Sequence, residues 1–314
     1  IIAFDAGYVR PILAAIHLVV ENGRVAFIDT GSNDALPNAL AALKKLGLDR
    51  STVDYLILTH IHLDHAGGAG SLMQAFPHAK LVVHPRGARH MAAPEKLVAG
   101  VTAVYGAEYV KTVYGDILPV PADRIIEAHE GTVLDLAGRE LLCIDTPGHA
   151  KHHICVVDRK TGGIFTGDMF GISYREFDVD GRQFIFPTTS PSQFDPLEMR
   201  QSVERLLAFK PEAMYLTHYS RVPDVAAQPL EHRGQLGVVD QRGGGGHGGM
   251  RAGGQQGAQD EIEVTDGALN PGVDGWAEQH QQRGHDGQGN IAEVAAAPAG
   301  EGRDQVQKQV HPLS

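Results

Sequence analysis

Three imidazoles and one carboxylate fall within the six residues His60-Ile61-His62-Leu63-Asp64-His65. The chemistry such a set offers is metal binding. Imidazole nitrogen with carboxylate oxygen and no thiolate suits zinc, with iron or manganese as alternatives. The preceding run Val53 to Leu58 is short, aliphatic and aromatic, and reads as a buried strand. If that strand continues to its tip, His60 and His62 share one face and serve one ion. Asp64 and His65 lie past the turn and serve a second. Ala66-Gly67-Gly68 then lets the backbone pass close to the ions and opens a helix. A lone H-x-H fits a surface turn; the longer pattern, ahead of two glycines, does not.

Three more candidates repeat this geometry, each at a strand-to-loop junction after an apolar run. His149 follows the strand 140–145 in Thr146-Pro147-Gly148-His149. Asp168 follows the strand 163–166, and His218 the strand 213–216. Leu58-Thr59-His60 and Leu216-Thr217-His218 also end two strands with the same three residues, a weak sign of two related halves. Asp29 ends the strand 24–29 before Gly31. It reads either as a turn residue or as a carboxylate that orients a metal-bound histidine.

The elements that position these residues read as follows. Ile1 to Gly7 forms an edge strand. The strands 15–21 and 24–29 form a hairpin around Asn22-Gly23. Helical spacing covers 33–46, 66–75 and 195–209, and strands cover 80–84, 132–136 and 154–158. Residues 86–114 read as helical, with Leu97, Val101, Val104, Tyr105 and Tyr109 on one stripe, either core packing or a pocket lid. After Val225 the text changes: residues 226–314 hold 19 of the 38 glycines and no Phe or Tyr, too little apolar surface to offset chain entropy. The expected division is therefore a folded domain over 1–225 and a disordered or out-of-frame tail over 226–314. His247, His280 and His285 in that tail are not counted as ligands.

The net charge of −11 argues against a nucleic-acid partner, and no apolar run is long enough for a membrane span. Cys143 and Cys155 sit in apolar runs and read as core thiols, so a reducing, cytoplasmic setting is expected. A homodimer is left open. So is a signal peptide, because the chain starts at Ile1.

The set H-x-H-x-D-H at 60–65 with His149, Asp168 and His218 resembles the ligand set of the metallo-β-lactamase-fold hydrolases, over about residues 1–222. The resemblance implies an α+β fold, an αββα four-layer sandwich with the metals at the sheet edge. It implies His60, His62 and His149 on one zinc, Asp64, His65 and His218 on a second, and Asp168 bridging. A hydroxide between the ions would attack an ester, lactone or thioester of a small molecule, with Asp64 shuttling the proton. His153 matches the second histidine of the family's G-H-x-x-x-H pattern and would support the ligands from behind. His152 has no assigned role and is expected to be partly exposed. Tyr174, six residues after Asp168, either polarises the carbonyl or packs. The segment 171–191 is expected to wall the pocket. The chain lacks the Cys ligand of zinc β-lactamases and the basic C-terminal helix of glyoxalase-type thioesterases. Two other readings stand: a mononuclear iron enzyme resembling persulfide dioxygenases, held by His60, His149 and Asp168, and an inactive truncated chain.

Overall fold

The computed structural model describes residues 1–189, 191–223 and 225, together with the backbone of 291–293. The first half carries β1 (Ile2–Asp5), β2 (Ala15–Glu21), β3 (Arg24–Ile28), β4 (Val53–Ile57), β5 (Lys80–Val83) and β6 (Ile125–Glu127), and the second carries β7 (Val133–Leu136), β8 (Arg139–Asp145), β9 (Ile154–Asp158), β10 (Gly163–Gly167), β11 (Ala213–Leu216) and β12 (Ser220–Pro223). A last short strand, β13 (Ile291–Glu293), lies antiparallel to β1, so β1 is not the edge expected of it. The remainder of the tail, with its three histidines, lies outside the described residues. The sheets run β13-β1-β2-β3-β4-β5-β6 and β12-β11-β10-β9-β8-β7.

Alternation within the strands makes the layers. In β3, Val25 and Phe27 face a core shared with the first helices, while Ala26 and Ile28 face the second sheet. In β8, Leu141 and Cys143 face inward, whereas Leu142 and Ile144 meet the helix of the second half. Three apolar cores thus separate four layers, the αββα sandwich. Cys143 and Cys155 belong to different cores and are both free, as the sequence suggested.

The helices of the first half are α1 (Ala35–Lys45), α2 (Leu63–Ala66), α3 (Ala69–Ala75), α4 (Pro85–Ala92), α5 (Glu95–Tyr105) and α6 (Ala107–Tyr114); α7 (Pro196–Ala208) covers the second sheet. Asp195 caps α7 by accepting from the backbone N–H groups of Leu197 and Glu198, with Pro196 at the first helical position. The helical stripe expected over 86–114 is broken at Gly106, whose φ of +84° no helix accommodates. Leu97 and Val101 are buried there, but Val104 is exposed, so the stripe is core packing only in part. Among the described residues, no helix is long and apolar enough to cross a membrane.

The halves are tied at both ends. Arg139 pairs with Asp158 within the second sheet and reaches the Val20 carbonyl of the first. At the opposite end Ala15 N–H donates to the Thr217 carbonyl at 2.8 Å, and Ile154 N–H to that of Thr59 at 2.7 Å.

His17 is buried between the sheets, with the rings of Phe165 and Tyr215 at 5.5 and 5.6 Å and no partner for Nε2. Burial pushes its pKa down to about 4. Unfolded, a histidine titrates near 6.5, so between those values the unfolded chain binds more protons and stability falls as pH drops. The expected loss at pH 5 is about 2 kcal/mol relative to pH 7. His17→Leu should therefore stabilise more at pH 5 than at pH 7 in urea melts; an equal gain at both would contradict the assignment.

Candidate metal centre

The metal stretch departs from the expected strand. β4 stops at Ile57, and the ladder makes its last bond from Leu58 N–H to the Val82 carbonyl. Thr59 cannot extend it, because its N–H goes to Asp29 Oδ1 at 2.8 Å and its carbonyl accepts from Ile154 of the other half. His60 and His62 thus lie on a loop, their rings edge-to-face at 4.4 Å rather than side by side on a strand face. The helix expected from Ala66 begins earlier: Asp64 and His65 lie on α2, which His62 precedes. Gly68 permits the turn that follows, since a Cβ there would stand 2.6 Å from the Ser32 carbonyl oxygen and 2.8 Å from that of Thr30.

All seven expected ligands come together, in overlapping triads: His60, His62 and His149; His60, His65 and Asp168; Asp64, His65 and His218. His62 Nδ1 lies 2.9 Å from His60 Nε2 and 3.2 Å from His149 Nε2. Asp168 stands between the groups, with Oδ2 3.5 Å from His149 Nε2 and Oδ1 3.3 and 3.7 Å from the Nε2 atoms of His65 and His218. Asp64 Oδ2 is 3.3 Å from His218 Nε2 and 3.5 Å from His65 Nε2.

The outer nitrogens fix which atoms face inward. His218 Nδ1 donates to the Leu13 carbonyl at 2.7 Å, and His65 Nδ1 to Asp29 Oδ2 at 2.8 Å. Thr188 Oγ1 donates to the Asp168 carbonyl at 3.0 Å, so it accepts from His149 Nδ1 at 2.9 Å. Thr59 Oγ1 likewise gives its proton to Asp29 and accepts from His60 Nδ1 at 3.2 Å. In its neutral form each of these four histidines therefore presents its Nε2 lone pair to the centre.

Those inward atoms need a partner that the described residues do not provide. His65 Nε2 and Asp168 Oδ1 are buried with no hydrogen bond. In the first triad the nitrogens crowd at 2.9 and 3.2 Å with at most one proton among them. Two nitrogens on one tetrahedral zinc sit about 3.3 Å apart, so a cation satisfies all three. The donor set fits a metal.

Electrostatics divides the cluster. Burial, with the charge of neighbouring histidines, holds His60 well below its usual pKa and His62 at about 3; burial outweighs Asp168 to leave His149 at about 4. Burial opposes charge on His65 and His218 as well, but there the carboxylates Asp64 and Asp168 win and both are raised. In return, Asp64 and Asp168 are held low by those histidines against their own burial.

Asp29 bonds His65 of the cluster, the contact that the orienting reading requires, and it does more. Besides His65, its carboxylate accepts from Thr59 Oγ1 at 3.0 Å and from Thr217 Oγ1 at 2.7 Å. The repeated Leu-Thr-His is thus the same threonine placed twice, from two halves, on one buried carboxylate. His153 supports the site from behind: it accepts from Asp168 N–H at 3.4 Å, bonds Thr146 Oγ1 at 2.9 Å and stacks on His60 at 5.0 Å. His152, expected to be partly exposed, is buried instead. It accepts from Ile61 N–H at 3.4 Å and lies parallel to His60 at 6.2 Å, filling the space behind the first loop. Thr188 and the Leu13 carbonyl carried no sequence signal. Tyr174 is half-buried near the cluster, and burial, aided by the charges of Asp168 and Asp64, raises its pKa.

Residues 10–218 match the sequence profile of the metallo-beta-lactamase superfamily. The chain belongs to that superfamily. The metallo-beta-lactamase fold-containing protein ST1585 of Sulfurisphaera tokodaii is 28% identical over 212 residues, 66% of this chain and 73% of the relative. The crystal structure of ST1585 superposes with a TM-score of 0.59 at 25% identity, covering 80% of this chain and 90% of that one. A hydroxyacylglutathione hydrolase of Xanthomonas euvesicatoria is 29% identical over 202 residues, 64% of this chain but only 58% of the relative. A di-iron-bound metallo-beta-lactamase fold, TTHA1623, shares the architecture at a TM-score of 0.52 and 21% identity, covering 70% of this chain and 96% of that one.

Proposed function

We propose that this chain is a hydrolase that holds two metal ions and cleaves an ester, lactone or thioester of a small molecule. One observation carries the reading: the two oxygens of Asp168 face two different sets of bare histidine nitrogens. His60, His62 and His149 would hold one ion, Asp64, His65 and His218 the other, with Asp168 between. A mononuclear iron site on His60, His149 and Asp168 would leave the cluster of Asp64, His65 and His218 without a task. The donors are all nitrogen and oxygen, so zinc is the expected ion and iron the alternative. Ions held by these residues would supply a water of lowered pKa and a Lewis acid for the carbonyl.

The chain's residues do the rest. Asp64 is the most open carboxylate of the cluster, its side chain 16% exposed, and is kept ionised by His65 and His218. It is placed to take a proton and return it to the leaving group. Tyr174 stays protonated at neutral pH and can donate to the carbonyl oxygen. Tyr174→Phe keeps the ring contacts, so an expected fall of about 10-fold in kcat with unchanged metal content reports the hydroxyl alone. Unchanged kcat would make Tyr174 a packing residue.

The acidic net charge supports a small-molecule substrate over a nucleic acid. The relative named as a hydroxyacylglutathione hydrolase supports thioester or ester cleavage. The test is turnover of a simple lactone and a simple thioester by metal-replete protein, lost on chelation and restored by zinc. Metal-replete protein that cleaves neither contradicts the reading.

A further inference from the structure

The segment between the bridging aspartate and α7 is a hairpin arm rooted in the metal centre at both ends. Ser173 N–H donates to the His218 carbonyl, and Thr188 bonds both His149 and Asp168. Along the arm Ile172 pairs with Phe186 and Val179 with Arg182. Asp180 and Gly181 turn the chain with φ of +52° and +74°, a two-residue hairpin turn. Arg175 stitches the arm to β12 and its approach, donating to the carbonyls of Tyr219 at 2.8 Å and Arg221 at 3.2 Å.

The arm carries a closed circuit of four rings. Tyr174 meets Phe186 at 5.4 Å and Phe177 at 6.3 Å, Phe184 meets Phe177 at 5.5 Å, and Phe184 meets Phe186 at 5.4 Å. The circuit starts half-buried at Tyr174, beside Asp168 and Asp64, and opens outward: Phe177 is 55% exposed and Phe184 39%. A second loop joins it, the one whose Leu13 carbonyl holds His218. Its Arg10 lies over the Tyr174 ring at 5.5 Å and pairs with Glu176 at 2.6 Å, and its Val9 and Ile12 are exposed. Because Arg10 is matched by Glu176, the loop adds apolar surface without a free positive charge. Large apolar side chains left in water beside a polar reaction centre mark a binding surface.

We propose that this arm is the acyl platform of the site, and that the compound cleaved carries a medium-chain aliphatic or aromatic acyl group laid over Phe177 and Phe184. The inference rests on the hydrolase reading and adds the substrate class to it. The arm's roots on His218, His149 and Asp168 tie the ring circuit to the cluster at which the carbonyl would sit.

The test uses the full chain loaded with zinc and p-nitrophenyl esters from acetate to octanoate, with Phe177→Ala/Phe184→Ala as the variant. Both rings are exposed, so the fold should tolerate their loss. Each buried methylene is worth roughly 4-fold, so partial cover of the chain predicts kcat/KM rising about 30-fold from acetate to octanoate. The variant should lose most of that rise, whatever its rate on acetate. A rise that survives in the variant, or no rise at all, overturns the proposal. So does a variant that only converts a dimer to a monomer in sedimentation. Calorimetric binding of octanoate against acetate gives a readout without turnover: tighter octanoate binding that the variant abolishes supports the arm even if ester cleavage fails. Equal binding of the two acids sinks it. Failure of cleavage with every ester instead counts against the hydrolase reading.

Discussion

Asp168→Asn should lower kcat/KM by about 10³-fold or more and leave fewer than two ions per chain. The amide has nearly the shape of the carboxylate, so the substitution changes charge and donor capacity while keeping volume. In the native chain the two oxygens lie 3.3 Å from His65 Nε2 and 3.5 Å from His149 Nε2, and Oδ1 has no hydrogen bond within the protein. An asparagine offers one oxygen and one N–H₂ group, and the N–H₂ group cannot face a cation. In the metal-free protein the carboxylate is a counter-charge to His65 and His218, so without metal the variant should melt below the native chain. Two ions and near-native turnover in this variant would remove the bridging role.

The second large effect falls on stability. Asp29→Ala should destabilise the protein by about 3–5 kcal/mol. It strips the acceptor from four buried donors at once: Thr59 N–H, Thr59 Oγ1, His65 Nδ1 and Thr217 Oγ1. Thr59 and Thr217 come from opposite halves, so the change also unfastens the sandwich at the end that carries the histidine cluster. Asp29→Asn keeps an acceptor oxygen and should fold. Without the negative charge behind His65, its metal affinity should drop about 10- to 100-fold. Denaturant melts and metal titration separate the two losses. An alanine variant as stable as the native chain would mean that water replaces the carboxylate.

The ligands were legible because chemistry and spacing coincide. His60, His62, Asp64 and His65 are close in sequence, and His149, Asp168 and His218 each follow an apolar run, so strand ends alone point to them. What supports them was less legible. Leu13 meets His218 from 205 residues away, and Thr188 meets His149 from 39. Neither residue type is distinctive. The Leu-Thr-His repeat was visible, but its cause, a shared bond to Asp29, needs both halves in place. Strand length misled at Thr59, where a buried carboxylate took the N–H that the ladder would have used. His152 was expected to be partly exposed, but in the fold it is buried and lies parallel to His60. The Asp180-Gly181 turn was a readable hairpin signal; the rings on that hairpin face one another only once it closes.

The central claim is a pair of ions held by two sets of side chains that meet at Asp168. Metal content by mass spectrometry on native protein, His149→Ala and His218→Ala tests it most directly. The account predicts close to two ions per native chain and close to one in each variant, with hydrolysis lost in both. One ion in the native chain, or both ions lost together from either variant, would contradict it.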